Sequence, residues 1–501
     1  MFCFGVLFIA DTFLILAFNT YFNMEKMDIV MGAEPQTIAE FFTTYILVPR
    51  TMLVILLGIA FFVGLCWFLR KYASKFCQHW ANGMVVLLLF SVMAFCVTFA
   101  KGCYVSARGA VAGKLEFVPT LMGNLGDRCY MHSQIVRVVK DAYGFVQFSK
   151  SSAEALEILE ANRQPILHNG SSIPYVVLVL GESTDRNKMS LYGYHLDTTP
   201  HLCQRMAQGE LMRFDDTISG AVYTAEAMRQ IFSFAEKGDT QRWYEHGCLL
   251  DIMHDAGYHT AWLSNQFPVD RNGNMDEVLS RRADEVAFVA GPGGLSDKNS
   301  YDEHLLPLLD TSLAQNTAAK QFYVVHLIGA HNQYNLRYPQ SAVKFAADDE
   351  QAETAYRRQL KADYDNAIAY NDKIMEEIFQ RFTDKDAIVI YLSDHGEEVC
   401  EGSDFAGHSM ENSANRHMVE IPMMVWTSPC FRENHPDLVT RIAGSTQQPF
   451  RSDDLIHAIL DLVDIAVADY DPQKACGIPP ICQRSVSLAE RFTSASSEFY
   501  K

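Results

Sequence analysis

Pro174-Tyr175-Val176-Val177-Leu178-Val179-Leu180-Gly181-Glu182-Ser183-Thr184 is an unbroken apolar run that stops abruptly at a glycine and a carboxylate. Apolar residues without alternation are what a strand buried on both faces requires, as in the interior of a parallel sheet. The polar end of such a strand falls at the carboxyl rim of the sheet, where α/β proteins bind their ligands.

The same design recurs along the chain. Thr260-Ala261-Trp262-Leu263-Ser264-Asn265 is one case, and Phe322-Tyr323-Val324-Val325-His326, leading to His331, is another. Ala387-Ile388-Val389-Ile390-Tyr391-Leu392-Ser393-Asp394-His395 and Ile421-Pro422-Met423-Met424-Val425-Trp426 follow. Taken singly, an apolar run ending in Asp or Asn is equally served by a turn or a helix cap. Taken together as parallel neighbours, the runs bring their polar ends to one place. Helical spacing lies between them, over Ala225 to Glu236, Trp243 to Asp255, Asp302 to Ala314 and the long stretch Asp349 to Phe382. This alternation predicts an α/β fold, a mostly parallel sheet with helices on both faces.

A chain of 501 residues suggests two or three domains. Its net charge is −19, yet residues 1–105 hold six Lys/Arg against five Asp/Glu, so the remainder carries −20. That excludes a nucleic-acid binder, and an anionic substrate must be drawn by a local cation or metal. Three apolar segments, Phe2 to Phe18, Met52 to Leu69 and Met84 to Ala100, approach the roughly 20 residues that cross a bilayer. The loop Arg70-Lys71-Tyr72-Ala73-Ser74-Lys75 is basic and therefore cytoplasmic, whereas Tyr21 to Thr44 has Lys26 as its only cation. Three spans place everything after Ala100 outside.

The expected domains are a transmembrane region over 1–105, a connector with amphipathic helices over 106–168 and an extracytoplasmic catalytic domain over 169–501. Some of the connector suits a membrane surface and some suits packing on the catalytic domain. Of 12 cysteines, seven lie well beyond the last span, from Cys129 onward, in an oxidising compartment on this topology, and Cys476 and Cys482 are spaced as a local disulfide. No Cys-x-x-Cys pair supports a zinc-thiolate site.

Asp394-His395-Gly396 is the sharpest chemical signal. At a strand end, consecutive Asp and His side chains can turn toward one metal, and glycine permits the tight turn. Glu182, at the end of a second buried strand, needs a cationic partner. One nitrogen and two oxygen donors favour Zn2+, with Mn2+ second. Thr224 stands where the small residues Ser219-Gly220-Ala221 give way to a helical pattern. It is read either as an N-cap or as a nucleophile beside free helix N–H groups that also serves as a fourth ligand. His331 and His408 are either surface histidines or groups that hold phosphate oxygens, exchange a proton or bind a second ion.

Gly181-Glu182-Ser183-Thr184, Met189-Ser190-Leu191-Tyr192-Gly193-Tyr194, Asp197-Thr198-Thr199-Pro200, Ser219 to Ala225, His326 to His331 and Ser393-Asp394-His395-Gly396-Glu397 occur in a telling order and spacing. In this the chain resembles the bacterial phosphoethanolamine transferases, inner-membrane enzymes of the alkaline-phosphatase/sulfatase-like superfamily with a periplasmic catalytic domain. The resemblance covers nearly all of the chain beyond residue 170. It implies that Thr224 is the nucleophile that becomes modified, and that Glu182, Thr224, Asp394 and His395 hold zinc. It further implies that His331, His408 and, less directly, Asn265 meet the substrate. The donor would be phosphatidylethanolamine and the acceptor lipopolysaccharide, at lipid A or a core sugar, or another periplasmic glycan.

Two departures stand out. The family usually carries five membrane spans where this sequence shows three. Members that modify lipid A often bracket the nucleophile with two cysteines, and Gly220 and Gln230 occupy those positions here, which tilts the expected acceptor toward core sugars or other glycans. A phosphoglycerol transferase or phosphodiesterase of the same superfamily is the rival enzyme reading, and a silent membrane-anchored sensor the rival outside enzymes.

Overall fold

The structure is a computed structural model that describes residues 152–239, 241–266, 275–289, 301–401, 405–408 and 415–475, together with six helical positions between Met52 and Lys71. The expected first and third spans and the Cys476–Cys482 pair lie outside the described residues, and of the second span only isolated positions are described. Among the described residues no helix is long and apolar enough to cross a membrane.

The chain divides into two compact units, residues 1–151 and 152–501. The second is built on a seven-stranded sheet. Its strands are β1 (Tyr175–Gly181), β2 (Leu211–Phe214), β3 (His259–Ser264), β4 (Glu285–Phe288), β5 (Gln321–His326), β6 (Ala387–Ser393) and β7 (Met423–Thr427). The spatial order is β2-β7-β6-β1-β5-β3-β4. The apolar run Tyr175–Gly181 is the central strand. β1 pairs in parallel with β6 on one side and β5 on the other, and β3 and β4 extend the parallel array. β7 pairs antiparallel with both β6 and β2, so it alone runs against the rest of the sheet. The expectation that the Ile421–Trp426 run ends at the shared rim is therefore corrected: its beginning, not its end, lies beside the end of β6, where the Ser393 N–H donates to Pro422 O.

Helices cover both faces, as the side-chain alternation of β1 requires. Val176, Leu178 and Leu180 pack with α1 (Thr224–Phe232), α2 (Leu249–Asp255) and α5 (Leu455–Leu462). Val177 and Val179 pack with α3 (Leu305–Gln315) and α4 (Ala355–Phe382). A helix over residues 152–161 buries Ala155 and Leu159 in the first of these cores. This part of the expected connector thus packs into the unit that carries the sheet, which begins at Ser152.

Candidate functional site

Sheet register assembles the site. Gly181 at the end of β1 lies opposite Ser393 at the end of β6, so the next residues, Glu182 and Asp394-His395, leave the sheet side by side. The turn after β1 is strained: Ser183 has φ 56°, in the left-handed region that costs a non-glycine residue about 1 kcal/mol or more. It is held from several directions. Its N–H donates to Asp394 Oδ1 at 3.1 Å, its hydroxyl to Glu182 Oε1 at 2.7 Å, and its carbonyl accepts the Tyr364 hydroxyl at 2.7 Å. Tyr364 comes from the middle of α4 and also accepts the Asp185 N–H at 2.9 Å. On the other side, Gly396 has no room for a side chain, because a β-carbon there would meet the His417 carbonyl.

Thr224 enters from a different element. Tyr223 is the N-cap of α1 and makes no capping bond through its side chain. Thr224 is the first helical residue, and its hydroxyl does not cap the helix. Thr224 Oγ1 lies 3.3 and 3.2 Å from the two Glu182 carboxylate oxygens and 3.4 Å from His395 Nε2. His395 Nε2 is 3.3 Å from both Glu182 Oε1 and Asp394 Oδ2. Glu182, Asp394 and His395 are each fully buried.

Three observations test whether these residues fit a metal. Their ligand atoms all lie within 4.8 Å of one another. Asp394 Oδ2 is buried without a hydrogen-bond partner. His395 Nδ1 is engaged by Gly396 O at 2.8 Å, which fixes the ring and leaves Nε2 toward the carboxylates. Two buried carboxylates this close are unfavourable without a cation. Burial, and then the charge of Glu182, push Asp394 up to about 7. Burial works against a charged His395, but Asp394 and Glu182 outweigh it and carry the imidazole up to about 10. Burial likewise opposes the charge on Glu182, yet the His395 contact holds it well below the usual carboxylate range. The donor set fits a divalent cation of nitrogen-tolerant chemistry.

The other expected site residues separate. His331 follows the turn after β5 and lies in the field of Glu182, with burial pulling its pKa down and Arg337 adding to that. His408 packs its ring 4.2 Å, centroid to centroid, from His395. Asn265 turns away: its amide donates to Asp302 Oδ1 at 2.8 Å, inside a hub where Asp302 also accepts the Ile328 and Gly329 N–H groups. The next residue, Gln266, faces the site instead. Its Nε2 donates to Glu182 Oε2 at 3.3 Å and Leu327 O at 2.9 Å. Sequence reasoning passed over Gln266, although neighbouring residues at a strand end point in different directions, a signal that could have found it. Glu397 was also missed as a functional residue. It is buried and accepts both the Tyr334 hydroxyl at 2.7 Å and His408 Nδ1 at 2.8 Å.

Comparison with known proteins agrees with this geometry. The family model described as Sulfatase matches residues 174–465. Phosphoethanolamine transferase EptC of Escherichia coli O18:K1:H7 is 31% identical over 345 residues, 66% of this chain and 59% of that protein. The chain thus spans less than two thirds of the length of this curated relative. The crystal structure of the C-terminal periplasmic domain of Escherichia coli EptC, in complex with Zn, superposes with a TM-score of 0.59 at 30% identity over 63% of this chain and 90% of that domain. The integral membrane protein lipooligosaccharide phosphoethanolamine transferase A (EptA) of Neisseria meningitidis shares the fold at 21% identity and a TM-score of 0.52, over 95% of this chain and 86% of that protein. The matched model covers more than half of the chain, which therefore belongs to the sulfatase family, with phosphoethanolamine transferases among its relatives there.

Proposed function

We propose that this chain is a zinc-dependent phosphoethanolamine transferase that uses Thr224 as its nucleophile. One observation carries the reading: the Thr224 hydroxyl, at the start of α1, lies 3.2 Å from Glu182 and 3.4 Å from His395 in a donor set that fits a divalent cation. Zinc held by Glu182, Asp394, His395 and Thr224 would supply positive charge to the phosphoryl oxygens and lower the cost of deprotonating the hydroxyl. The first N–H groups of α1 receive no side-chain cap and suit a phosphoryl oxygen.

On this reading Thr224 Oγ1 attacks the phosphorus of phosphatidylethanolamine, diacylglycerol leaves, and a hydroxyl or phosphate of lipopolysaccharide or another periplasmic glycan then takes the phosphoethanolamine. Residues 1–105 anchor the protein in the bacterial inner membrane and the unit from 152 onward works in the periplasm. Support for the layout comes from the apolar segments of the sequence and from the likeness to an integral membrane relative.

The test is the intact mass of the detergent-purified full chain after incubation with phosphatidylethanolamine, for wild type and Thr224→Ala. A phosphoethanolamine adduct on wild type alone supports donor and nucleophile together. A phosphoglycerol adduct from phosphatidylglycerol, with none from phosphatidylethanolamine, overturns the donor. No adduct from a zinc-loaded protein overturns the transferase reading.

A further inference from the structure

Asp302 ties strand ends together from outside the sheet. It opens the 3-10 turn Asp302–His304 that leads into α3, and it is fully buried. Its Oδ1 accepts the Asn265 amide, just past the end of β3, and the Ile328 N–H, just past the end of β5, both at 2.8 Å. Its Oδ2 accepts the Gly329 N–H at 3.1 Å. A carboxylate only accepts hydrogen bonds, and three N–H groups converge on this one, which is the pattern that suits its ionised form.

The two backbone groups it holds open a turn, closed by the His331 N–H on Ile328 O at 3.2 Å. The middle of that turn meets the metal-capable cluster. The Ala330 N–H donates to Glu182 O at 3.0 Å, and Gly329 lies so close to the Glu182 backbone that a β-carbon has no room. Beyond the turn, Arg337 Nε donates to His331 O at 3.1 Å and Nη2 to Asn332 O at 2.8 Å. A carboxylate therefore takes the donors at the start of the turn and a guanidinium takes the acceptors at its end. Glu182 rests against what lies between. Its own next residue, Ser183, has the strained φ of 56°, so the chain around Glu182 keeps its shape only where neighbours hold it.

We propose that Asp302 is a positioning residue for the metal centre: by fixing the Ile328 and Gly329 N–H groups it sets the turn on which Glu182 rests, and with it the aim of the Glu182 carboxylate at the cation and at Thr224. The inference rests on the metal-binding part of the reading above and adds to it a residue outside the donor set. Groups that orient a metal ligand from behind carry roughly 10–100-fold of the affinity.

The experiment measures zinc Kd for the full chain in detergent, by competition with a chromogenic chelator, beside the melting temperature of the metal-free protein. Asp302→Asn keeps the shape of the side chain. Its one oxygen still serves Asn265 and Ile328, but its amide N–H then faces the Gly329 N–H and that bond is lost. Zinc Kd should rise about tenfold, and about 100-fold for Asp302→Ala, which loses all three bonds. The asparagine variant carries the comparison if the alanine variant does not fold. Ile378→Ala is the control, a buried residue near the C-terminal end of α4. It should lower the melting temperature by leaving a cavity while zinc Kd stays within about threefold of wild type.

A zinc Kd for Asp302→Asn within about threefold of wild type, at a lowered melting temperature, overturns the proposal and leaves Asp302 a structural hub alone. An equal loss of affinity in Ile378→Ala also overturns it, because affinity would then follow stability. A wild-type chain that takes up no zinc overturns the metal centre itself, a result seen before any variant is compared.

Discussion

Gly329 and Glu182 meet backbone to backbone: a β-carbon at Gly329 would stand 2.6 Å from the Glu182 carbonyl oxygen and 2.9 Å from its nitrogen. Gly329 also has φ 53°, so both sterics and conformation demand glycine. Gly329→Ala should destabilise the protein by roughly 2–4 kcal/mol and push Glu182 away from Thr224. The check is a pair of measurements, thermal unfolding and bound zinc; an alanine variant with wild-type values in both would contradict this geometry.

Metal removal should be felt as stability. The carboxylates of Glu182 and Asp394 are both buried around His395, and a cation bound there stabilises only the folded state. Dialysis against a chelator should lower the melting temperature, and zinc at a thousandfold excess over its Kd should restore about 4 kcal/mol. Asp394→Asn should melt at one temperature with and without zinc. Differential scanning calorimetry with metal analysis decides the matter.

Asn265 and Gln266 are consecutive and should fail differently. Asn265→Ala strips one hydrogen bond from the buried Asp302 hub, which predicts a loss of about 1–3 kcal/mol in stability. Gln266→Ala removes a donor from Glu182 and should slow adduct formation about tenfold, the worth of one hydrogen bond to a charged group, with little change in melting. Swapped effects would place the substrate-facing amide at 265 after all.

His457 on α5 provides a pH signature away from the site. Burial, reinforced by Lys474, pulls its pKa down to about 4, and its Nδ1 accepts the Asp471 N–H at 3.0 Å. Below pH 6.5 the unfolded chain binds a proton at this position that the folded chain refuses until about pH 4. Stability from this group is therefore complete above pH 6.5 and is lost as pH falls from 6.5 to 4, by up to about 3 kcal/mol. His457→Asn, which keeps an acceptor but does not titrate, should show a shallower decline over that window in urea denaturation. Parallel curves for the two proteins would refute the assignment.

The strand ends were legible because buried parallel strands leave an unmixed apolar signature, and register then does the rest: Gly181 opposite Ser393 places Glu182 beside Asp394 without any further device. The direction of β7 was not legible, since an apolar run reads alike in both senses. Helix breaks were also hidden. The stretch Trp243 to Asp255 divides into a 3-10 turn, Trp243–Glu245, and the helix Leu249–Asp255. Thr224 was legible as a helix start but not as the first helical residue rather than its cap, because that distinction lies in the backbone angles of Tyr223. Glu397 stood in plain view beside His395, yet its partners, Tyr334 at the start of a 3-10 turn and His408, come from segments that only the folded chain brings together.

A β-carbon at Gly220 would collide with the Gln230 side-chain oxygen, so the two positions expected to bracket Thr224 are in contact here. The segment leading to Thr224 is secured instead by Gly220 N donating to Ser452 Oγ at 3.0 Å and Ser219 Oγ donating to Asp394 O at 2.5 Å. Among the described residues, all cysteines are free thiols. The turn before Thr224 is thus set by hydrogen bonds that close as the sheet forms, so neither Gly220 nor Gln230 waits on an oxidant.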